Sequence, residues 1–252
     1  MALTIVGRKL EVRSDEIPVK RQDGTYAFPR NVTQFETKAT INPRDYALVL
    51  EGDQAQRVMS MKQGINGLNY QDAQVKALQD NLNLPTLRTF ITQYQNANKA
   101  LNGEAVLYDA SGKLIEGEQL RNYASRLNSD CWTWLNAGFE AGSGCLGLDL
   151  VTVAGLNKDG SLSTKKVPLE DCLQEDCWAE VESANNQGLL TRKSSHQDYE
   201  AGKVVYFYHP RKNSVAGFSA NSGRAVVCCD RYPQYWDPAL GVFPCAEGDA
   251  KK

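Results

Sequence analysis

Two short β-prone runs joined by Ser222-Gly223 constrain the fold of this chain more than any other feature. In the first run, Phe218 and Ala220 alternate with Ser219 and Asn221. Successive side chains of a strand point to opposite faces, so this pattern predicts a strand with one buried side. The returning run, RAVVCC, places Ala225, Val227 and Cys229 inward and Val226 and Cys228 outward. The sequence therefore predicts a hairpin that buries one face and displays the other.

The segments on either side of this hairpin extend the same prediction. VVYFYHP is strongly β-prone and is expected to form a central strand. Val215 falls out of the alternation, so a β-bulge near Gly217 is predicted to bring it inward, beside Phe218. DRYPQYWDPA is predicted to be a loop held by Pro233 and Pro238, and LGVFPC to be a last strand. We expect the aromatic residues of that loop to be exposed.

The run from Asn213 to Ala246 has an unusual composition, because it contains no Lys, Glu or Met. It is rich instead in Gly, Ser, Asn, Arg, Asp, Tyr and Trp. Binding loops favour this mixture, in which Tyr and Trp give rigid contact area and the small polar residues adapt their hydrogen bonds. A β-rich terminus with many turns would also have such a composition, so composition alone leaves both interpretations open.

The rest of the chain limits the class of partner. The 252 residues carry a net charge of −2 and a pI near 5.8, which gives no electrostatic case for nucleic acid or an anionic membrane. No apolar run is long enough for a membrane span, and MALTIVGRKLEVRSDE is not expected to be a secretory signal. The sequence leaves the cellular location open, since delivery to the surface by another route stays possible.

The chain reads as two regions. Residues 1–104 begin with β-prone pieces and a turn at Gln22-Asp23-Gly24, followed by two helices, YQDAQVKALQDNL and LRTFITQYQNANKAL. Residues 105–252 begin with a hairpin over AVLYDASGKLI. An amphipathic helix is then predicted over residues 117–140, a strand over GLDLVTVAGL and a short helix within residues 168–182. The expected class is α+β, with a boundary near residue 104.

An enzyme or a metal protein is the alternative function. The sequence contains no Gly-rich phosphate loop, HExxH or GxSxG motif. His209 could act as a base and Cys228 or Cys229 as a nucleophile, although a hydrogen bond within the scaffold is the preferred interpretation of His209. Cys172 and Cys177 could hold a metal only with further ligands. We therefore predict no metal, no cofactor and no catalytic residue, and interpret the cysteines as small buried hydrophobic residues.

The C-terminal motifs also resemble a known family. HPRKNSVAGFSANSGRA, a following Cys, an irregular Tyr-, Asp- and Arg-rich stretch and LGVFPCAEG resemble the variable region of diversity-generating retroelement target proteins, of the archaeal, nanoarchaeal type. In that family, template adenines are mutated during reverse transcription, so AAC-type codons scatter over many residue types. Gln234 and Trp236 lie outside that set and need another parent codon. The resemblance is specific over residues 206–248, weaker over WTWLNAGFEAGSGCLGLDL and PLEDCLQEDC, and absent before about Gln119.

This resemblance implies a C-type-lectin-like fold in residues 105–252, with variable residues on a solvent-facing sheet and its adjoining loops. It implies a ligand-binding protein with a hypervariable surface and a macromolecular partner, most simply a protein. The fixed scaffold would include Asn213, Ser214, Val215, Phe218, Leu240, Gly241 and Val242. The ligand-binding positions would be Ser219, Asn221, Arg224, Val226, Cys228, Asp230, Arg231, Tyr232, Tyr235, Trp236 and Asp237.

Overall fold

The computed structural model describes residues 2–5, 8–11, 19–20, 26–27, 39–51 and 54–247. These residues form a mixed α+β structure that is mostly sheet. The α-helices are α1 (Tyr70–Gln79), α2 (Leu87–Leu101) and α3 (Gly117–Ser129). The strands are β1 (Ala2–Ile5), β2 (Arg8–Glu11), β3 (Val19–Lys20), β4 (Tyr26–Ala27), β5 (Tyr46–Glu51), β6 (Gln54–Ser60), β7 (Leu107–Tyr108), β8 (Leu114–Ile115), β9 (Asp130–Ala141), β10 (Leu148–Leu156), β11 (Leu162–Pro168), β12 (Cys177–Glu180), β13 (Val204–Tyr208), β14 (Ser214–Asn221), β15 (Arg224–Arg231) and β16 (Cys245–Glu247).

The larger sheet has seven strands in the order β11-β10-β9-β14-β15-β13-β12. The predicted hairpin of β14 and β15 lies at its centre, with β9 antiparallel on one side and β13 parallel on the other. The expected strand over VVYFY is confirmed as β13, between β15 and β12. β14 and β15 therefore each have hydrogen-bonded strands on both sides, which fixes their backbones.

A smaller sheet joins the two ends of the described chain. In it β6 pairs with β5, β1 and the C-terminal strand β16, and β2 extends the sheet beyond β1. The hairpin expected over AVLYDASGKLI is confirmed as β7 and β8. The expected turn at Gln22-Asp23-Gly24 lies outside the described residues.

The two helices predicted before residue 104 are both present and begin at side-chain caps. Asn69 accepts a hydrogen bond from the backbone N–H of Asp72, and Thr86 accepts one from that of Thr89. Such caps satisfy N–H groups that have no partner within the helix. The sequence signals for both helices were therefore local, which explains why they could be read without tertiary information.

One hydrophobic core crosses residue 104. The α2 residues Phe90 and Tyr94 and the β5 residues Ala47 and Val49 are buried in the same cluster as Phe218 of β14. The helices α2 and α3 thus lie against one face of the seven-stranded sheet and share that core with the smaller sheet. Residues on either side of position 104 stabilise each other, so this position does not separate two hydrophobic cores.

The helix predicted over residues 117–140 is correct only as far as Ser129, because β9 begins at Asp130 without an intervening loop. Leu127 is the last buried helical position. From Cys131 the inward residues recur at every second position, and Leu135 and Phe139 enter the main core. A period of two replaces the helical period at this point, where the prediction had continued the helix.

Two further predictions were wrong. Residues 168–182 contain no α-helix; β12 and a short 3-10 turn over Val181–Ser183 occupy their end. The last strand begins at Cys245 and belongs to the smaller sheet, while Gly241 and Val242 make only isolated bridges. Both segments are short, so interactions with distant strands decide their conformation more than local preference does.

The bulge expected near Gly217 is present, between Val215 and Gly217 in the pairing with both neighbouring strands. Val215, however, does not join Phe218. It pairs with Gly138 and packs in a second cluster with Trp134, Leu240 and α1, on the opposite face of the sheet. Among the described residues, no helix combines the length and the apolar composition needed to cross a lipid bilayer.

The inward side chain of Phe218 gives a stability prediction. Phe218 is 1% exposed, and its ring lies 4.8 Å from that of Phe90 and 5.1 Å from that of Tyr94. Phe218→Ala should lower the free energy of unfolding by about 3–5 kcal/mol, because it leaves a cavity between the sheet and α2. Tyr232→Ala, the matched aromatic control, should change it by less than about 0.5 kcal/mol, since Tyr232 is 76% exposed. Urea titration measures both; equal losses would contradict the inward orientation of Phe218.

Candidate functional site

The face of the seven-stranded sheet opposite α2 and α3, the outer face, is ordered in rows by strand register. Trp132, Ser219, Val226, Tyr206 and Trp178 form one row across five strands. A second row, at the end of the hairpin, contains Asp130, Asn221 and Arg224. Directly paired residues share a face, so the predicted positions on β14 and β15 lie beside aromatic residues of β9, β12 and β13. Sequence reasoning had not included those aromatic residues in the site.

On one side of the outer face lies the Tyr206 cluster, formed by Trp178, Tyr206, Tyr208 and Arg224. The ring centroids of Trp178 and Tyr206 are 5.4 Å apart, and those of Tyr206 and Tyr208 are 5.1 Å apart. The guanidinium carbon of Arg224 lies 5.2 Å from the centre of the Tyr206 ring, and Nη2 donates to the Tyr208 hydroxyl at 3.3 Å. The ring and the hydroxyl together orient an otherwise exposed arginine.

On the other side lies the Trp132 cluster, formed by Trp132, Arg231 and Tyr235. The rings of Trp132 and Tyr235 are 5.7 Å apart, and the Arg231 guanidinium carbon lies 5.9 Å and 5.6 Å from their centres. Strict alternation from Cys228 would turn Arg231 inward. The bulge restores its orientation, because Arg231 pairs with Val215 while Cys228 pairs with Gly217, both on the outer face. The bulge therefore positions a cation of the site.

A groove of about 440 Å³ separates the two clusters. Ser219 and Val226 line it, and Trp132, Tyr208, Arg224 and Arg231 form its walls. The groove has room because Ser219, the outward residue of β14 that lines it, is small, while the flanking strands carry Trp132 and Tyr208. Next to it, a Cβ at Gly217 would lie 3.1 Å from the carbonyl oxygen of Thr133, so a side chain there would require a small shift of β14 or β9.

The loop after β15 continues the outer face. Tyr232 and Trp236 are 76% and 58% exposed, in agreement with the sequence prediction. The Trp236 indole N–H donates to the carbonyl oxygen of Gly67. The φ angle of Gly67 is +67°, a backbone conformation that glycine adopts readily. Asp237 accepts a hydrogen bond from the Ala239 N–H at 2.8 Å and so shapes the loop. Tyr235 differs from its neighbours, because it packs partly against the second cluster around Trp134.

The predicted positions differ in how far they reach solvent. Asn221, Arg224, Tyr232 and Trp236 are exposed. The partly buried positions are Ser219, Asp230, Arg231, Tyr235 and Asp237. Val226 and Cys228 face outward by register but are buried, at 7% and 2% exposure, because the large side chains of adjacent strands cover them. These two residues form the floor of the outer face, while the others form its rim and walls.

His209 is held by Asp176. Its Nδ1 lies 2.6 Å from Asp176 Oδ1, and its backbone N–H donates to the same oxygen at 3.1 Å. Arg211 Nη2 donates to the other carboxylate oxygen at 3.1 Å. Partial burial by itself raises the pKa of the Asp176 carboxyl, but the hydrogen bonds and charges of His209 and Arg211 bring it below its ordinary value. This triad fixes the end of β13.

The surroundings of the cysteines favour the neutral thiol form. Burial raises the pKa of Cys228, although neighbouring Arg231 opposes the rise, and burial raises that of Cys229 well above its ordinary value. Burial raises the pKa of Cys172, which lies beside Cys145, to about 12. An activated cysteine nucleophile needs a lowered pKa instead, so that the thiolate is present at neutral pH. Among the described residues, no group of three or more His, Cys, Asp or Glu side chains is arranged to hold a metal.

Comparison of the chain with protein-family models, with curated protein sequences and with solved structures gave no match. The functional argument therefore depends on the outer face itself.

Thiol counting distinguishes buried cysteines from a reactive one. In the reduced native protein, two of the seven thiols, those of partly exposed Cys145 and Cys177, should react quickly with Ellman's reagent. All seven should react in guanidinium chloride. The rate at Cys177 should still rise from neutral to alkaline pH, because burial raises its pKa and less thiolate is present at neutral pH. Cys145→Ala and Cys177→Ala are the assignment controls. Rapid labelling of Cys228 at mildly acidic pH, or stoichiometric zinc in the purified protein, would favour the enzyme or metal alternative.

Proposed function

We propose that this protein is the ligand-binding target protein of a diversity-generating retroelement, and that the outer face with its adjoining loop is its exchangeable recognition surface. The observation that supports this most is the division of β14 and β15 between two environments. Phe218, Ala225, Val227 and Cys229 are buried in the main core. The residues between them face the groove or its floor. Around the groove, positions expected to vary and positions expected to be fixed therefore lie on opposite sides of the sheet. Val215, also expected to be fixed, is the exception, because it lies on the outer face in the second cluster.

This arrangement suits a surface whose residues are exchanged. Both strands have hydrogen-bonded neighbours on each side, and their inward side chains pack against α2. The backbone under the outer face is thus held by interactions that its outward side chains do not make. Exposed substitutions usually change stability by less than about 0.5 kcal/mol, so recognition can change while the fold persists.

The family resemblance completes the proposal. Under it, residues 105–252 form a C-type-lectin-like fold, and the partner is a macromolecule, most simply a protein. Tyr, Trp and Arg in one patch favour this partner, because these residue types dominate the energy of protein interfaces. Tyr232 and Trp236 are the exposed anchors, and Arg231 and Asp230 contribute charge preference.

Sequencing the gene in a host population tests the retroelement origin. Substitutions should concentrate at adenine-containing codons of outward positions such as Ser219, Asn221 and Tyr232. The codons of Phe218 and Val227 should be constant, because their side chains fill the core. A reverse transcriptase gene and a near-copy of the segment that encodes residues 206–248, differing at adenines, should lie nearby. Substitutions spread evenly over both sides of the strands would contradict the proposal.

Binding tests the recognition surface directly. A partner isolated from the native host, or a binder from a displayed protein library, should lose about thirtyfold or more in affinity when Tyr232 and Trp236 are both changed to Ala. The double variant Leu101→Ala/Leu156→Ala removes exposed apolar side chains elsewhere and should leave affinity unchanged. If affinity survives the combined loss of Arg231, Tyr235 and Trp236 while changes at Cys228 or His209 abolish an activity, the enzyme alternative replaces the proposal.

A further inference from the structure

Arg224 and Arg231 line the same groove without an acidic partner. Within the part of the chain that the structure describes, neither guanidinium group takes part in an ion pair, whereas Arg57, Arg192 and Arg211 do. Asp230 acts on Arg231 only at longer range. Asp130 is the acidic residue of the groove, and it is exposed at the rim beside Asn221. The groove therefore carries two arginines against one aspartate, in a chain whose net charge is −2.

Both arginines are oriented before a ligand arrives. Arg231 lies over the rings of Trp132 and Tyr235, and Arg224 lies over Tyr206 with one N–H on the Tyr208 hydroxyl. Arg231 also contacts the Cys228 sulfur. A guanidinium group has five N–H donors, so most of them still have no acceptor in these contacts. Rings against the planar side of a guanidinium restrict its rotation and leave its edge free for a planar acceptor. Such preorganisation lowers the entropic cost of binding.

A partner that covers this groove must satisfy the two guanidinium groups. Arg231 is already half-buried, and a closely packed partner would remove more of its water. Burial of a charge is costly unless an opposite charge and hydrogen bonds compensate it. A carboxylate is the matching group in a protein, because its two oxygens accept two parallel N–H bonds from one guanidinium. A single excess positive charge is too little for the several phosphates that nucleic-acid binding engages.

We infer that, in this copy of the chain, the groove between the Tyr206 cluster and the Trp132 cluster binds a carboxylate of an acidic protein segment through Arg224 and Arg231. This inference rests on the proposed function and specifies its partner. The flanking rings contact the apolar part of that segment, and Ser219 and Asn221 provide neutral hydrogen-bonding groups beside the carboxylate. Asp130 at the rim disfavours segments with further acidic residues at that end.

A selection experiment tests this inference. Random peptides displayed on phage are selected against the wild-type protein and, separately, against Arg224→Gln/Arg231→Gln. Peptides enriched on the wild type should contain Asp or Glu more often than those enriched on the variant. A synthetic peptide from the first set should lose about tenfold or more in affinity on the variant. It should lose as much when its acidic residue is replaced by the corresponding amide, and the two losses should not add, because they remove one interaction.

The control variant Arg44→Gln/Arg121→Gln makes the same change of net charge at two exposed arginines outside the groove, and affinity should stay within about twofold. Arg224→Lys/Arg231→Lys retains the charge but not the planar fork, and it should bind more weakly than the wild type. Thermal melting confirms that each variant is folded. If the glutamine variant does not fold, the lysine variant and the amide peptide still decide the question.

The outcomes separate the inference from the proposed function. Peptides that need Tyr232 and Trp236 but contain no excess of acidic residues, and that bind the glutamine variant equally well, would overturn the inference alone. A library that yields no peptide dependent on the outer face would overturn both. A single-stranded oligonucleotide that binds as tightly as the peptide and is lost on the glutamine variant would replace the carboxylate with phosphate and overturn the inference.

Discussion

The packing of Phe218 between the sheet and α2 is the interaction on which the displayed surface depends. Its ring contacts Phe90 and Tyr94, and Ala225, Val227 and Cys229 of the adjacent strand occupy the same core. These contacts hold one side of the central hairpin of the seven-stranded sheet, while Val215 of β14 packs on the other side with Trp134 and Leu240. The outward residues Ser219, Arg224 and Val226 take no part in the main core, so under the proposed function they are available for recognition.

That freedom is limited on the outer face by its own aromatic residues. Trp132, Trp178, Tyr206 and Tyr208 come from strands on both sides of the hairpin and orient Arg224 and Arg231. Val226 and Cys228 lie beneath them, so under the proposed function exchange at these two positions would be restricted by volume. Tyr232 and Trp236 in the loop are exposed and would tolerate a wider range of sizes. The outer face therefore combines a packed floor with an exposed rim.

The His and Cys side chains considered for catalysis make contacts within the scaffold. His209 and Arg211 share Asp176 at the end of β13, and the buried cysteines have pKa values raised by burial. Buried neutral thiols behave as small apolar groups. Their stabilising effect is complete at neutral pH and decreases under alkaline conditions, because the unfolded chain ionises its thiols first. The groove, by contrast, has groups suited to binding.

The sequence by itself determined the hairpin, its inward and outward residues, the two capped helices before residue 104 and the exposed aromatic loop. Each of these depends on local periodicity or on a cap, which neighbouring residues encode. Only the tertiary structure decided that residues 130–141 form a strand, that the core crosses residue 104, and that a bulge turns Arg231 toward Trp132. The groove likewise could not be predicted from the sequence, because its walls come from strands far apart in the chain. Pairing between distant strands, set by register and core packing, brings those residues together.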